Sequence, residues 1–292
     1  MRIPPKPLSR AAATMAAALV LALAACTPAP DRPADASATT QSGTGLPGTH
    51  IHGLSVSGDT SQVLLATHDG LFDVTEKPAK KIGGTNDLMG FTGAKDHGVF
   101  YASGHPGAGS DLPNPLGLIR SVDGGQTWEQ LSRQGESDFH ALTTTKSGIV
   151  AFDGKLRTTP DGRTWKTVAA AFAPAALAGH PDSDTVLSTT PEGIRRSTDG
   201  GNTWEPVTSG PVIQFAAFAH PGEAVGVEPD GTVHYSADAG ATWTRKGQIN
   251  GEVQAIAAVK GADGNPWIWA ATAEGIVVST DGGTTFRLSD AA

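Results

Sequence analysis

The stretch STDGGNTW, residues 197–204, decides the fold because close copies of it recur along the chain. Full copies occupy residues 121–128, 236–243 and 279–286, and a shortened copy occupies residues 159–165. The tryptophans that end four of these five stretches are 37, 39 and 39 residues apart: Trp128, Trp165, Trp204 and Trp243. A fixed period in this range is typical of a repeat architecture.

Each copy has the composition of a tight turn between two strands. The Ser or Thr ends one strand, the Asp carboxylate can accept backbone N–H bonds inside the turn, and Gly tolerates positive φ there. The aromatic residue that follows packs the returning strand against the neighbouring repeat. We therefore assign a structural role to the Asp and aromatic residues of the copies, which are Asp123, Trp128, Asp161, Trp165, Asp199, Trp204, Asp238, Trp243, Asp281 and Phe286.

Three short β-like stretches precede each copy. In the last unit they are residues 253–259, 267–271 and 275–279, followed by the turn and a fourth stretch at 284–288. Four strands per unit make a propeller blade. The chain also has 37 glycines and 20 prolines, which leave little room for long helices.

The blade pattern extends over residues 49–292. A unit without a recognisable copy, residues 50–83, opens the series, and residues 50–292 then divide into six units of about forty residues. We predict an all-β, six-bladed β-propeller. A seven-bladed propeller is the alternative, since a degenerate blade could hide in a long connection.

The N-terminus has the layout of an export signal. Three basic residues precede a charge-free apolar run, residues 11–25. At about 1.5 Å per residue the run spans about 22 Å, which is too short for a comfortable crossing of a bilayer core of roughly 30 Å. We therefore predict that residues 1–25 are a signal peptide that is removed.

Cys26 is the only cysteine, so no intramolecular disulfide can form. The sequence LAAC at residues 23–26 resembles a bacterial lipobox, in which the cysteine is lipidated and becomes the first residue. The alternative is a buried thiol. Residues 27–48 are rich in Pro, Ala, Ser, Thr and Gly without apolar periodicity, which predicts a lipidated Cys and flexible linker over residues 26–48. The resemblance implies an extracytoplasmic, lipid-anchored protein.

The charge balance argues against nucleic acid as a partner. The signal contains three of the 21 basic residues and none of the 29 acidic ones, which leaves 18 basic residues and a net charge of −11. An acidic domain binds nucleic acid and anionic lipid surfaces poorly. The lipid on Cys26 would therefore make the membrane contact, and we expect a monomer.

The repeated stretch matches the Asp-box, or BNR repeat, of form Ser/Thr-x-Asp-x-Gly-x-Thr-Trp. Asp-box propellers occur in sialidases, sortilin-type receptors, photosystem II assembly factors and bacterial surface proteins. Residues 50–292 further resemble a bacterial BNR-repeat family named glycosylhydrolase or exo-alpha-sialidase. The segments that carry this resemblance are residues 50–54, 89–91, 103–106, 111–118 and 138–140. It implies a propeller and, as one function, an exo-glycosidase of sialidase type.

Sialidase chemistry needs an arginine cluster for the substrate carboxylate, a Tyr nucleophile paired with Glu, and an Asp acid/base. Arg120, Arg157 and Arg196 all lie just before a copy of the turn, which is a repeat position and not a converging triad. The only tyrosines are Tyr101 and Tyr235. No catalytic residue is assigned, and whether the protein is an enzyme stays open, since an ordinary Asp/Glu pair is an alternative.

Five of the nine histidines are predicted to gather at one mouth of the propeller channel. His50, His52 and His140 lie at the starts of first strands, and Met89 has the equivalent place in the second unit. His68 and His105 lie in the loops after second strands, on the same face. The other histidines fall in turns, at residues 97, 180 and 220, or on a third strand, at residue 234.

Imidazole suits copper, zinc, iron and nickel, and a thioether favours copper, particularly Cu(I). We predict a copper or zinc site formed by His50, His52, Met89, His105 and His140, with His68 as a further ligand. In the alternative, the histidines bond only to one another, to Asp87 and Asp138, and to trapped water.

The loop of residues 104–116 lies on the same face and is the longest insertion within a blade. Loops on a rigid scaffold often bind ligands, and its polar residues Asp111 and Asn114 are candidates, although it could simply cap the blade. The leading hypothesis is therefore a propeller that binds a metal ion, a small ligand, a glycan or a surface protein through this face. The alternatives are a sialidase-like exo-glycosidase and a protein–protein assembly scaffold.

Overall fold

The computed structural model describes residues 45–48 and 50–289, and within them the chain is all-β, without a helix. Blades 1 to 3 comprise β1 (Ile51–Val56), β2 (Val63–Thr67), β3 (Gly70–Asp73), β4 (Lys80–Ile82), β5 (Asp87–Gly93), β6 (Phe100–His105), β7 (Leu118–Ser121), β8 (Glu129–Ser132), β9 (Ala141–Thr145), β10 (Gly148–Phe152), β11 (Leu156–Thr159) and β12 (Lys166–Thr167). Blades 4 to 6 comprise β13 (Ala176–Gly179), β14 (Val186–Thr190), β15 (Gly193–Ser197), β16 (Glu205–Pro206), β17 (Phe215–His220), β18 (Glu223–Val227), β19 (Thr232–Ser236), β20 (Thr244–Gln248), β21 (Val253–Lys260), β22 (Pro266–Thr272), β23 (Gly275–Ser279) and β24 (Arg287–Leu288).

Six blades form a closed propeller, as predicted, and the seven-bladed alternative is wrong. Each blade is a sheet of four antiparallel strands in chain order. The first strand of each blade contacts the first strand of the next around the ring, and β21 returns to β1. Among the described strands none is borrowed from another blade, and side chains of blades 6 and 1 pack in a common hydrophobic cluster.

The second strands supply most of the core because they are buried on both faces. All five residues of the second strands β2 and β14 are buried. Their sequences are rich in Val, Leu and Thr, which fit a pleated, buried surface. First strands instead line the channel and contain many small residues, such as the Ala-Ala pair of β17.

The repeated turns have the hydrogen bonds that their composition predicts. In the copy at residues 121–128, Oδ1 of Asp123 accepts from the Thr127 backbone N–H at 2.9 Å and Oδ2 accepts from the Thr127 hydroxyl at 2.6 Å. The Ser121 hydroxyl donates to Asp123 at 2.8 Å and accepts from the Gly125 N–H at 2.8 Å. The same contacts recur around Asp199, Asp238 and Asp281.

Each aromatic residue after a turn packs in the hydrophobic cluster between its own blade and the preceding one. Trp165, for example, stacks on Phe139 with ring centroids 4.9 Å apart, and its indole N–H donates to Ser132 at 2.8 Å. Five of the six seams between blades have such an aromatic: Trp128, Trp165, Trp204, Trp243 and Phe286.

The seam between blades 6 and 1 contains a residue that precedes the predicted start of the propeller at residue 49. Leu46 is only 2% exposed and packs with Val63, Leu65 and Ile276. Leu46 falls within the predicted linker, residues 26–48. Blade 1 has no copy of the repeated turn and therefore no aromatic residue after it, and Leu46 packs in this seam instead. The prediction of a flexible linker that extends to residue 48 is therefore wrong at Leu46. The predicted signal peptide 1–25 and the lipidation site Cys26 lie outside the described residues.

In the part of the chain that the structure describes, no helix is long and apolar enough to cross a bilayer.

Candidate metal-binding site

The first strands of blades 1 and 2 each have a β-bulge at one mouth of the channel. The register of β1 with β2 shifts at His52, and that of β5 with β6 shifts at Leu88 and Met89. A bulge bends a strand and changes the direction of its side chains. In blade 3, His140 directly precedes β9. His52, Met89 and His140 all line one cavity of about 180 Å³ in the channel.

His52, His68 and Asp87 form a first set of donors, which we call set 1. Their donor atoms all lie within 4.8 Å of one another. Nδ1 of His68 is 2.8 Å from Oδ2 of Asp87, and Nε2 of His52 is 3.4 Å from Oδ1 of the same carboxylate. His52 and Asp87 are largely buried, whereas the His68 side chain is 41% exposed, so solvent reaches the set from the side of His68.

Two polar atoms of set 1 are buried without a hydrogen bond to any described residue. They are Nε2 of His52 and Oδ1 of Asp87, the pair separated by 3.4 Å. Burying a polar atom without a partner costs about 1–3 kcal/mol, so native structures rarely leave one. Because the two atoms are 3.4 Å apart, a cation bound between them would satisfy both.

The His52 ring has the protonation state that metal binding requires. Burial lowers the pKa of His52, and the imidazoles of His68, His50 and His140 lower it further, against the opposing charge of Asp87. The ring is therefore neutral at pH 7 and its lone pair is free to coordinate.

His50 lies on the outer side of set 1. Its ring meets that of His68 edge to face, with centroids 4.9 Å apart, and the His68 ring meets that of His52 in the same way at 4.8 Å. The prediction groups His50 with the ligands; the structure places it against His68, outside the three donors of set 1.

His105, Asp138 and His140 form a second group, set 2, between blades 2 and 3. Oδ2 of Asp138 is 2.6 Å from Nε2 of His140 and 3.2 Å from Nε2 of His105. Nδ1 of His105 is 2.7 Å from Oδ1 of Asn114, which comes from the loop of residues 104–116. Oδ1 of Asp138 is buried without a hydrogen bond to any described residue. The predicted single cluster is thus two groups on one face.

The remaining histidines lie elsewhere. His97 is exposed in a turn, as predicted. His180 directly follows β13, and the exposed His220 is the last residue of β17. Both line a cavity of about 510 Å³ at the other end of the channel, with ring centroids 6.4 Å apart. His234 is buried on β19 beside Glu228, 2.5 Å from its carboxylate.

The arginines considered for sialidase chemistry are engaged separately. Arg120 pairs with Glu129 at 2.9 Å, Arg157 with Asp153 at 2.9 Å, and Arg196 donates to the Ala239 carbonyl at 2.8 Å. Each lies on the third strand of its own blade, so these three guanidinium groups do not converge.

A Tyr–Glu pair does exist, at Tyr235 and Glu223. The Tyr235 hydroxyl donates to Glu223 at 2.6 Å, and the same carboxylate pairs with Lys260. Burial, followed by the adjacent Glu223 carboxylate, raises the pKa of Tyr235 to about 12. A hydroxyl with a raised pKa is a poor nucleophile. Tyr101 instead packs in the seam between blades 2 and 3.

Asp87 and Asp138 are the site residues that the sequence prediction undervalued, since it named them only as hydrogen-bond partners. The signal was present at the starts of three first strands, in the triplets HIH at 50–52, DLM at 87–89 and DFH at 138–140. Aligned by blade, these triplets place a donor at the first and third positions each time. The acidic residues join donors from adjacent blades, which only the closed ring makes visible.

Comparison with known proteins identifies the fold and no family. No protein-family model and no curated protein matches the chain. Among solved structures, a GH74 xyloglucanase from Xanthomonas campestris matches with a TM-score of 0.60 at 15% identity, over 82% of this chain and 38% of that one. A GH74 enzyme from Niastella koreensis matches with a TM-score of 0.54 at 17% identity, over 82% and 37%.

A structure of YCF48 bound to D1 peptide matches with a TM-score of 0.50 at 17% identity, over 82% of this chain and 81% of that one. This chain therefore spans less than two fifths of either glycosidase chain but most of YCF48. At such identities the likeness shows a common β-propeller fold.

Proposed function

We propose that this propeller is a binding module that holds a divalent transition metal, zinc or copper, in set 1. Two imidazoles and one carboxylate are a donor combination that zinc, copper, iron and nickel accept. The bulge at His52, the turn after β2 and the start of β5 hold these groups at the channel mouth. Solvent access on the side of His68 leaves room for water or a small ligand on the metal.

One observation carries the proposal: Nε2 of His52 and Oδ1 of Asp87, which are buried without a hydrogen bond to any described residue, are 3.4 Å apart. In a tetrahedral zinc site with bonds of about 2.0–2.2 Å, two donors are separated by about 3.3–3.6 Å. The pair therefore has the spacing of one edge of such a site. His68 needs only a small movement of its exposed ring to supply a third donor.

Isothermal titration of the untagged, metal-free protein with ZnCl₂ and CuSO₄ tests the proposal. We expect saturable binding that Asp87→Asn and His52→Ala each weaken at least about tenfold, since even outer-shell partners of metal ligands contribute that much. His97→Ala is the matched control, because it removes an exposed imidazole outside the site. Unchanged affinity in both site variants, with thermal unfolding as in the wild type, would contradict the proposal.

The anchor belongs to the same proposal: Cys26 would be lipidated and hold the propeller at the outer face of the cell membrane, as the resemblance to a bacterial lipobox implies. Fractionation of cells that produce the full chain tests it. We expect the wild type in the membrane fraction and the Cys26→Ser variant in the soluble fraction. Equal partitioning of the two would rule out the lipid anchor.

The glycosidase alternative is weaker, since Arg120, Arg157 and Arg196 are engaged on separate blades and none of the three is paired with Tyr235 or Glu223. Turnover of a fluorogenic sialoside that Tyr235→Phe abolishes would reverse this preference. The scaffold alternative rests on the fold alone, because the YCF48 structure was solved with a peptide but shares 17% identity. Neither alternative uses the donors at the channel mouth.

A further inference from the structure

The two donor sets occupy equivalent positions in successive blades. The His68 N–H donates to the His50 carbonyl, and His105 is paired with Asp87. His68 directly follows β2 and His105 ends β6, so each lies at the end of a second strand, opposite the start of a first strand. Each then contacts the aspartate that starts the next blade, Asp87 or Asp138. By the same alignment, Met89 in blade 2 has the place of His52 in blade 1.

From this repeat we infer that set 2, completed by Met89, is a second metal site, and that it takes copper(I) where set 1 takes zinc. The inference rests on the proposed function of this face and gives it a second ion. Its donors would be His105, His140, the Asp138 carboxylate and the Met89 thioether, which lines the same cavity as His140. A soft thioether beside imidazoles favours copper(I).

The hydrogen bond of His105 supports a metal in set 2. An amide oxygen can only accept, so Nδ1 of His105 donates its hydrogen to Oδ1 of Asn114 at 2.7 Å. Nε2 of the same ring is 3.2 Å from Oδ2 of Asp138. Metal-bound histidines are oriented in this way by a group on their other nitrogen.

The Asp138 carboxylate supplies the second argument. One of its oxygens is shared by two imidazoles, while the other, Oδ1, is buried without a hydrogen bond to any described residue. Asp87 in set 1 has the same combination of one bonded and one unpartnered oxygen. Two consecutive blades therefore repeat one arrangement and differ in the donor at the third position, His52 or Met89.

Metal titration under anaerobic conditions tests the inference. Metal-free protein is titrated with ZnCl₂, and separately with copper(I) in competition with a chromophoric copper(I) chelator. We expect one copper(I) per chain, with Met89→Leu weakening copper(I) binding at least about tenfold. Asp138→Asn should remove copper(I) and Asp87→Asn should remove zinc, while His97→Ala should change neither.

Each outcome decides between the two proposals. Copper(I) binding that Asp87→Asn abolishes and Asp138→Asn does not would overturn the second site and leave set 1. Loss of both metals in either aspartate variant would mean a single site and also overturn the inference. Absence of zinc binding with retained, Met89-dependent copper(I) binding would refute the function proposed for set 1 alone. Met89→Leu keeps the apolar volume of the side chain, so it remains informative if Asp138→Asn fails to fold.

Discussion

At the scale of single residues, one carboxylate holds each repeated turn together. In the first copy, the Thr127 hydroxyl, the Thr127 backbone N–H and the Ser121 hydroxyl, in that order of effect, lower the pKa of Asp123 to about 2. The pKa of Asp161 is also lowered to about 2, chiefly by backbone N–H groups of Thr164 and Arg163. The ionised form of each carboxylate is thus the one that the folded turn favours.

This arrangement predicts acid sensitivity of the folded state. The pKa of Asp123 is about 2 when folded and about 3.9 when unfolded, so its bonds stabilise the protein above about pH 4 and are lost as the pH falls towards 2. We expect Asp123→Asn to lower the urea midpoint at pH 6, and the gap from the wild type to shrink towards pH 2. Asp111→Asn, at an exposed loop position, should show no such gap. A gap independent of pH would contradict the role of the carboxylate.

At the scale of elements, the close approach of β5 and β6 positions both donor sets. Gly104 has φ of +143° and lies between Ser103 and His105, and a Cβ there would fall on the carbonyl oxygen of Asp87. Only glycine lets the two strands meet at this point, because other residues are strained at that φ and would collide with the backbone. Gly104 therefore lies where the strand that ends in His105 of set 2 meets the backbone of Asp87 of set 1.

We predict that Gly104→Ala destabilises the protein by about 2–4 kcal/mol, from the backbone strain together with the collision. It should also weaken zinc binding, because the carbonyl that must move belongs to Asp87. Urea denaturation and zinc titration measure the two effects. Gly109→Ala is the matched control: this glycine also has positive φ, +79°, but has open space around it. Equal loss of zinc affinity in both variants would refute the positional role of Gly104.

At the scale of the whole molecule, six hydrophobic seams hold the ring closed, and only one of them depends on a residue before the first blade. Leu46 is 2% exposed in the seam between blades 6 and 1, whereas aromatic residues of the repeated turns fill the other five. Among the strands within residues 50–289, none crosses from one blade to the other to join them. The closure of the propeller therefore depends on side-chain packing in this seam, to which Leu46 contributes a buried side chain.

We predict that Leu46→Ala lowers the free energy of unfolding by about 2–5 kcal/mol, the usual loss for a buried leucine. Urea denaturation of a protein that begins at Cys26 measures it. Leu112→Ala, at a leucine that is 40% exposed, should change stability by less than about 0.5 kcal/mol. Similar losses in the two variants would show that Leu46 does not close the ring.

The sequence alone predicted six blades, with seven as the alternative, and it determined the four strands of each blade and the structural role of the turns, because these depend on local chemistry that repeats every forty residues. It also predicted which mouth of the channel collects His52, His105 and His140. The tertiary structure alone decided that these histidines form two sets and that Asp87 and Asp138 stand at their centres. It also decided that Leu46 closes the ring. The physical reason is the same in each case: these contacts join neighbouring blades, or the first blade to the last, and no local pattern records which side chains meet across a seam.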